Sequence, residues 1–505
     1  MHLLSLIIWL PIGSLVLLLS IPAHRQSAYR YIALGTTLLQ GLAIGLVVAQ
    51  GLANIPVEQV AWLRLDLGSL GRLSVDYLVG VDGLNIGLVL LAVVVLTTGV
   101  IASWNIQRHT KAYFSLYLLM NTLIMGSFLA LDFLLFYVFF EAALLPIYFF
   151  IGIWGGPQRK RAATQFFLYT LAGTVMILVV LVALSRAVYD PVATGVQLGM
   201  LSPDETVSID QFEAIQGWVQ ANAIASSDIV RSLDLRLMTD ARNFLPGSGL
   251  GLLDGALIGG QAMRLVAFLG LVLGFLIKLA AVPFHTWLPE AHVEAPTPIS
   301  MVLAALLLKI GGYGLLRTAY SIFPEGAIYY SFSIGLLGAC AIIYAALNAL
   351  AMQDLKRMIA YASIAHMGFV LLGLASLTAE GTLGALYQLV SHGLITTLLF
   401  GLVGVLQDRT GDRLIDNYSG LANPMPYYTI ITVVSFFAAL GLPGFSSFVA
   451  ELLVLLGAFQ SLFLPKWLGI IGAMGVLLNA IYFVWTIQRV FWGNFSLRYP
   501  DQQSA

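Results

Sequence analysis

Long apolar runs separated by short polar punctuation dominate the chain. A helix needs about 20 apolar residues to cross the hydrocarbon of a bilayer. Thirteen stretches meet that length: 2–21, 31–51, 78–103, 113–130, 132–153, 162–188, 264–288, 297–320, 330–352, 357–378, 381–406, 426–457 and 467–492. The fourth and fifth nearly touch at Ala130-Leu131-Asp132, so a tight turn must join them. This pattern predicts an all-α polytopic membrane protein with about 13 to 14 transmembrane helices. The first run has no basic stretch before it and reads as a mature helix rather than a cleaved signal.

Residues 189–262 break the rhythm. They are polar, partly helical and amphipathic from Ile209 to Arg242, and leave through the Gly-rich GSGLGLLDG. The segment reads as an extra-membrane loop insertion, solvated or facing a partner. Two apolar segments are themselves interrupted. The seventh contains Pro283 in LAAVPFHTWLP, and the twelfth contains Pro443-Gly444 in FFAALGLPGFSSFVAELL. Proline removes a backbone donor and clashes with the preceding turn. At membrane depth such breaks survive only inside protein or beside a hydrated cavity. They lie five helices apart, as two five-helix units spanning helices 4–8 and 9–13 would place them. Broken helices at matching places in paired repeats point to an ion path; two unrelated kinks are the alternative.

Charge adds orientation. Loops after odd-numbered helices hold Arg25, Arg30, Arg108, Lys111, Arg159, Lys160, Arg161, Lys356, Arg357, Arg409 and Arg413. Short loops after even-numbered helices hold only Arg64, Arg72 and Lys466. The positive-inside rule then puts the N terminus on the periplasmic or lumenal side. The loop between helices 7 and 8 departs from the pattern, with Glu290, His292 and Glu294.

Composition narrows the function classes. The chain is 59% hydrophobic and 10% charged, with net charge −1. That leaves no large basic surface for nucleic acid. The single cysteine, Cys340, excludes an intrachain disulfide and a cysteine-ligated cluster. No phosphate loop or dinucleotide fingerprint follows a strand. His285, His292, Glu290 and Glu294 resemble a metal set loosely, but two prolines interrupt the run and no helix is expected to align them.

The candidate chemistry lies in misplaced charges. Only six lysines exist, and two of them, Lys278 and Lys309, sit inside apolar segments. A charge at the bilayer centre costs at least about 2.5–3.5 kcal/mol on insertion scales, which makes it a functional-site candidate. Glu141, central in helix 5, is the partner expected for Lys278, as an ion pair. A purely structural pair is the alternative, but such pairs stabilise weakly against apolar substitutes. Lys309 has no equally clear partner, and desolvation works against its charged form, as a proton-releasing group requires. His285, His366 and His392 lie on or near helices 7, 10 and 11 and can bridge such groups. Each can equally be a satisfied interhelical hydrogen bond. Glu451 sits past the break in helix 12. In order, Glu141, Lys278, Lys309, His392 and Glu451 make a lateral polar chain.

These residues carry a resemblance. FYVFFEAALLPIYFFIGIWGG, FLIKLAAVPFHTWLPEAHVEAPTPISMVLAALLLKIGGYGLLR, ALAMQDLKRMIAYASIAHMGFVLLG, LVSHGLITTLLFGLVG and GLPGFSSFVAELLVLLGAF run in order between about residues 76 and 492. Together they are similar to the antiporter-like, proton-pumping subunits of respiratory complex I and its relatives. The resemblance implies two inverted five-helix repeats with broken helices 7 and 12. It implies Glu141–Lys278 as the family's pair, Lys309 as the central relay lysine, and His366 and His392 as its partners. Glutamate rather than lysine at Glu451 resembles the NuoM/NdhD (chain 4) branch. Two departures stand out: 189–262 is longer than the family's usual link, and the sequence stops after the thirteenth helix where the family has a fourteenth.

The expected organisation is then 1–111 for helices 1–3, 112–188 with 263–322 for the first repeat, 189–262 for the insertion, 323–493 for the second repeat, and 494–505 for a tail. The expected function is proton translocation in the membrane arm of an NAD(P)H/ferredoxin:quinone oxidoreductase. No cofactor would bind this chain; quinone, iron–sulfur clusters and nucleotide or ferredoxin would belong to partner subunits. Its partners would be membrane-arm subunits on both sides, lipid and protons, in a bacterial inner membrane or a cyanobacterial or plastid thylakoid. The alternatives are an Mrp-type cation/proton antiporter subunit and an inert structural scaffold; a solute permease fits least.

Overall fold

The computed structural model describes residues 2–22, 24–51, 57–202, 208–251, 257–258 and 261–497, so residues 498–505 of the expected tail lie outside it. Among the described residues, thirteen helical rods follow the order the apolar runs predict. Ten helices are long and apolar enough to cross a membrane, from Leu3–Ser20 to Lys466–Phe491. The others are shorter or broken: Ile86–Ala102 is the third, Met263–Lys278 with Trp287–Glu294 the seventh, and Pro426–Ala439 with Ser446–Gln460 the twelfth. The fifth bends where Phe133–Ala142 gives way to Leu144–Trp154. Pro146 lacks the N–H that would bond Ala142, which accounts for the bend.

One expectation needs correcting. The third helix starts at Ile86, not 78, because residues 72–79 are a strand. Strands β1 (Glu58–Asp66) and β2 (Arg72–Val79) form an antiparallel hairpin on the N-terminal face. The insertion adds β3 (Val230–Ser232) parallel to β2, with Leu73 opposite Arg231. It also holds the helices Pro191–Gln197 and Ile209–Gln220, the second started by a capping box of Ser208 and Gln211. A small apolar core of its own joins Tyr189, Val219, Ile229 and Leu245.

The eighth helix is the central rod. Every residue of its most apolar window, within Thr297–Tyr320, is buried. Two π-helical stretches, Leu303–Leu307 and Leu315–Tyr320, flank the α-helical Leu308–Gly314. Such bulges are frequent at functional sites.

The two broken helices share one backbone design. In the seventh, Leu279 N–H donates to Phe275 O, Ala280 to Ile277, Ala281 to Leu276 and Phe284 to Ala281. In the twelfth, Leu440 donates to Phe436, Gly441 to Ala438, Leu442 to Phe437 and Phe445 to Leu442. The matching left-handed residues are Ala280 (φ 55°) and Gly441 (φ 75°). A second parallel joins helices 5 and 10. Asp132 and Asp354 cap them, and each sits in an isolated antiparallel bridge, to Asp234 and to Leu414. Helix 5 starts on the N-terminal face and helix 10 on the opposite one, which is the geometry an inverted repeat requires.

Candidate functional site: a buried line of Lys, His and Glu

Packing at the first break brings helices 7 and 8 together. A Cβ on Gly311 would lie 3.0 Å from the Leu279 nitrogen, so a side chain there would press the two backbones apart. Lys278 ends its half-helix, and Lys309 lies just before the glycine pair Gly311-Gly312 with its side chain fully buried.

Lys309 Nζ donates to Ala304 O at 2.5 Å and lies 2.6 Å from His392 Nδ1. Ala304 belongs to the first π-helical stretch, five residues before the lysine. Its partners are thus a carbonyl and an imidazole, with no carboxylate in contact among the described residues. The His392 and His366 rings are 5.1 Å apart. His366 Nδ1 stands 3.4 Å from Glu451 Oε1 and 2.9 Å from Gln388 Nε2. Lys278, Lys309, His366, His392 and Glu451 are each at most 3% exposed.

The His366 contacts have a chemical consequence. Gln388 Nε2 is a donor only and Glu451 offers acceptors. An unprotonated Nδ1 accepts from Gln388, and a protonated one donates toward Glu451. The ring therefore changes partner with its proton. Beside it, a cavity of about 10 Å³ touches His366, His392, Ser363 and Thr396. That is about the least volume that admits one water.

Glu451 is set by the second break. A Cβ on Gly441 would stand 2.7 Å from Glu451 Oε2, so the carboxylate reaches back over the left-handed glycine. Ser446, first in the half-helix that carries Glu451, bonds Ser391 of helix 11 at 2.7 Å.

The expected Glu141–Lys278 ion pair is not closed. Lys278 Nζ lies 4.3 Å from the centroid of the Phe140 ring and has no hydrogen-bond partner among the described residues. A cation over a ring face is a favourable contact. Glu141 is half-buried next to the helix 5 bend, with Oε2 also unpartnered. The Phe140 ring, rather than the Glu141 carboxylate, lies beside the ammonium.

The remaining histidines lie off the line. His285 packs against Tyr344 and Tyr361. Contrary to expectation, Trp287–Glu294 is helical. His292 there stacks on Phe400 at 4.6 Å, and no group of three or more candidate metal ligands occurs among the described residues.

Sequence reasoning missed two features. Gln388, one turn before His392, is fully buried, and its polarity inside the apolar LYQLVSHG was the available signal. The other is a vestibule of about 750 Å³ on the face opposite the N terminus. Glu294, Thr297, Lys356, Gln407, Asp408 and Arg413 line it. The acidic loop between helices 7 and 8 hinted at it.

Known proteins resemble the chain in sequence and in fold. Residues 130–188 and 249–478 match the family described as NADH:quinone oxidoreductase/Mrp antiporter, TM, leaving residues 189–248, most of the insertion, outside the match. NADH-quinone oxidoreductase subunit M of Rhodobacter capsulatus is 37% identical, over 97% of this chain and 86% of its own length. An NAD(P)H-quinone oxidoreductase chain 4 of Microcystis aeruginosa is 35% identical, over 98% of this chain and 80% of its own. A chain of respiratory complex I from Thermus thermophilus with bound NADH superposes with TM-score 0.74 and 29% identity, covering 99% of this chain and 92% of that one. An archaeal membrane-bound sulfane sulfur reductase, at TM-score 0.75 and 19% identity, shares the fold. The chain belongs to the NADH:quinone oxidoreductase/Mrp antiporter family of membrane subunits, and its relatives are the subunit M and chain 4 members of NAD(P)H-quinone oxidoreductases.

Proposed function

We propose that this chain moves protons in the membrane arm of an NAD(P)H- or ferredoxin-dependent quinone oxidoreductase. Redox chemistry takes place on quinone, iron–sulfur clusters and the electron donor held by partner subunits. The observation that carries this reading is the contact line Lys309–His392–His366–Glu451, four titratable groups in the middle of a bundle whose helices break on both sides of it. Buried ionisable groups inside membrane segments are costly and mark proton relays.

The N-terminal face is periplasmic or lumenal, in a bacterial inner membrane or a thylakoid, with membrane-arm subunits and lipid around the chain. Residues 112–188 with 263–322, and 323–493, act as the two repeats. A change of charge in a neighbouring subunit acts first on Glu141, the half-buried group, and through it on Lys278. With Glu141 neutralised or withdrawn, Lys278 loses a favourable field and its proton is repelled or released toward Lys309. Lys309 loads from the vestibule side and hands its proton to His392. His366 passes it on as its Nδ1 turns from Gln388 to Glu451. This is electrostatic coupling between two-state sites.

The test is Lys309→Ala in the whole complex reconstituted in vesicles. Electron transfer is expected to persist without a gradient while protons moved per electron fall sharply. Full pumping in that variant sinks the relay. Glu141→Gln separates a pump from a scaffold, because an inert axis would not respond to it.

A further inference from the structure

Beyond Lys309, the eighth helix continues toward the N-terminal face in a row that the relay does not use. Tyr313 follows Lys309 by one turn and Arg317 follows Tyr313 by another, on one side of the helix. Arg317 Nε donates to the Tyr313 hydroxyl at 2.9 Å, and its Nη2 pairs with Asp82 at 2.7 Å. The arginine side chain is 12% exposed. Asp82 is anchored in turn, because its carboxylate accepts from the backbone of Leu84 and Asn85. The fully buried Tyr313 ring packs against Phe128 and Phe136, and Phe275 presses on Gly314. On the other side of Lys309 lies the polar vestibule.

We infer that Asp82, Arg317 and Tyr313 form an electrostatic barrier that closes Lys309 off from the N-terminal face, so that this lysine exchanges protons with bulk water only on the vestibule side. The inference rests on the proton-translocation reading above. A row of polar groups ending on a surface could equally be a path. Arginine decides against it, because its guanidinium does not give up a proton in a protein. It cannot hand a proton on. What it can do is hold a fixed positive charge across the route, as arginines in selective pores do against protons and cations. The bidentate hold of Asp82 and the bond to Tyr313 keep that charge in place. Arg317 is thus a positioning residue for sidedness and touches no transferred proton.

The experiment uses the whole complex in vesicles carrying an imposed pH gradient, with no electron donor, and follows the gradient with an internal pH dye. Arg317→Gln is expected to collapse it about tenfold faster, the effect of losing a unit charge about 12 Å from Lys309 at an effective dielectric near 20. Arg317→Lys keeps the charge without the fork and should stay close to the parent rate; it also serves if the glutamine variant fails to assemble, since a leak as fast in the lysine variant as about tenfold overturns a charge-based barrier. The double variant Lys309→Ala/Arg317→Gln should return to the slow rate, because the leak runs through Lys309; a merely structural role for Arg317 would leave the double variant leaking. Parent-like decay in Arg317→Gln, or undiminished leak in the double variant, overturns the barrier. If Lys309→Ala alone leaves pumping intact, the translocation reading fails first. If it abolishes pumping while Arg317→Gln stays tight, only the barrier is refuted.

Discussion

Gly441→Ala tests how closely the second break holds Glu451. The glycine sits at φ 75°, where an L residue costs roughly 1–2 kcal/mol. Its new Cβ would stand 2.7 Å from Glu451 Oε2, and ordinary contact begins at 3.4 Å, so the oxygen must yield by about 0.7 Å. The atom that yields is the end of a flexible side chain, which keeps the packing cost small. The electrostatic cost is larger. Glu451 Oε1 faces His366 Nδ1 at 3.4 Å. Moving a unit charge back by that amount at an effective dielectric near 20 weakens the contact by about 1 kcal/mol, a several-fold change in the share of protons resting on the His366–Glu451 pair. The variant complex should assemble, because Ala280 already carries a Cβ at the equivalent left-handed place of the first break. Thermal unfolding should fall by the backbone cost, and protons moved per electron in vesicles should drop several-fold with quinone reduction preserved. An assembled variant with unchanged proton yield would refute the claim that the break positions this carboxylate.

Other perturbations read other parts of the structure. His392→Ala leaves the buried Lys309 ammonium short of a partner, worth about 1–3 kcal/mol; proton yield should collapse, and His392→Gln, which restores an acceptor, should recover stability but not pumping. Arg264→Ala removes bonds to Glu325, Leu250 O and Ile322 O and contacts with the Phe244 and Phe323 rings. It should loosen the insertion by about 2–4 kcal/mol, seen as faster tryptic cleavage between 231 and 242. Burial, reinforced by Asp234 nearby and opposed by backbone N–H groups of Leu134 and Leu135, holds the Asp132 carboxyl up to about 7. A raised carboxyl binds more protons folded than unfolded, so its contribution weakens from about pH 4 to 7, at up to about 1.4 kcal/mol per pH unit. Hydrogen exchange at 230–235, corrected for intrinsic rate, should therefore rise from pH 5 to pH 8 in the parent and not in Asp132→Asn.

The thirteen rods were legible because each apolar run is as long as a bilayer is thick. Both breaks were legible because Pro283 and Pro443 interrupt such runs. The start of the third helix was misread for the same reason: Leu78-Val79 are apolar enough to extend the run, yet they end β2, whose partner EQVAWLRLD lies outside any apolar segment. Lys309, His392, His366 and Glu451 were legible as misplaced polar groups, and the structure brings them together. The missing Glu141–Lys278 contact was not, because it depends on where two long side chains point and on the Phe140 ring that lies beside the ammonium. Gln388 was passed over because an uncharged amide in an apolar helix looks unremarkable until its neighbour is known to be a histidine.

The shared backbone of the two breaks sharpens what differs between them. Their hydrogen bonds correspond donor by donor, which places Lys278 of the first opposite Ala439 of the second. Lys278 ends a half-helix, where the dipole favours a cation. At Ala439 there is no charge to favour, and the small side chain instead helps line the cavity beside His366 and His392. The second break meets its charge from the other direction: Glu451, on the following half-helix, folds its carboxylate back over Gly441. One backbone design thus presents a cation at the first break and an anion at the second, with Lys309 and the two histidines between them. Of the six residues on this line, Glu141 alone is half-buried rather than buried, which is why the proposed coupling to a neighbouring subunit begins there.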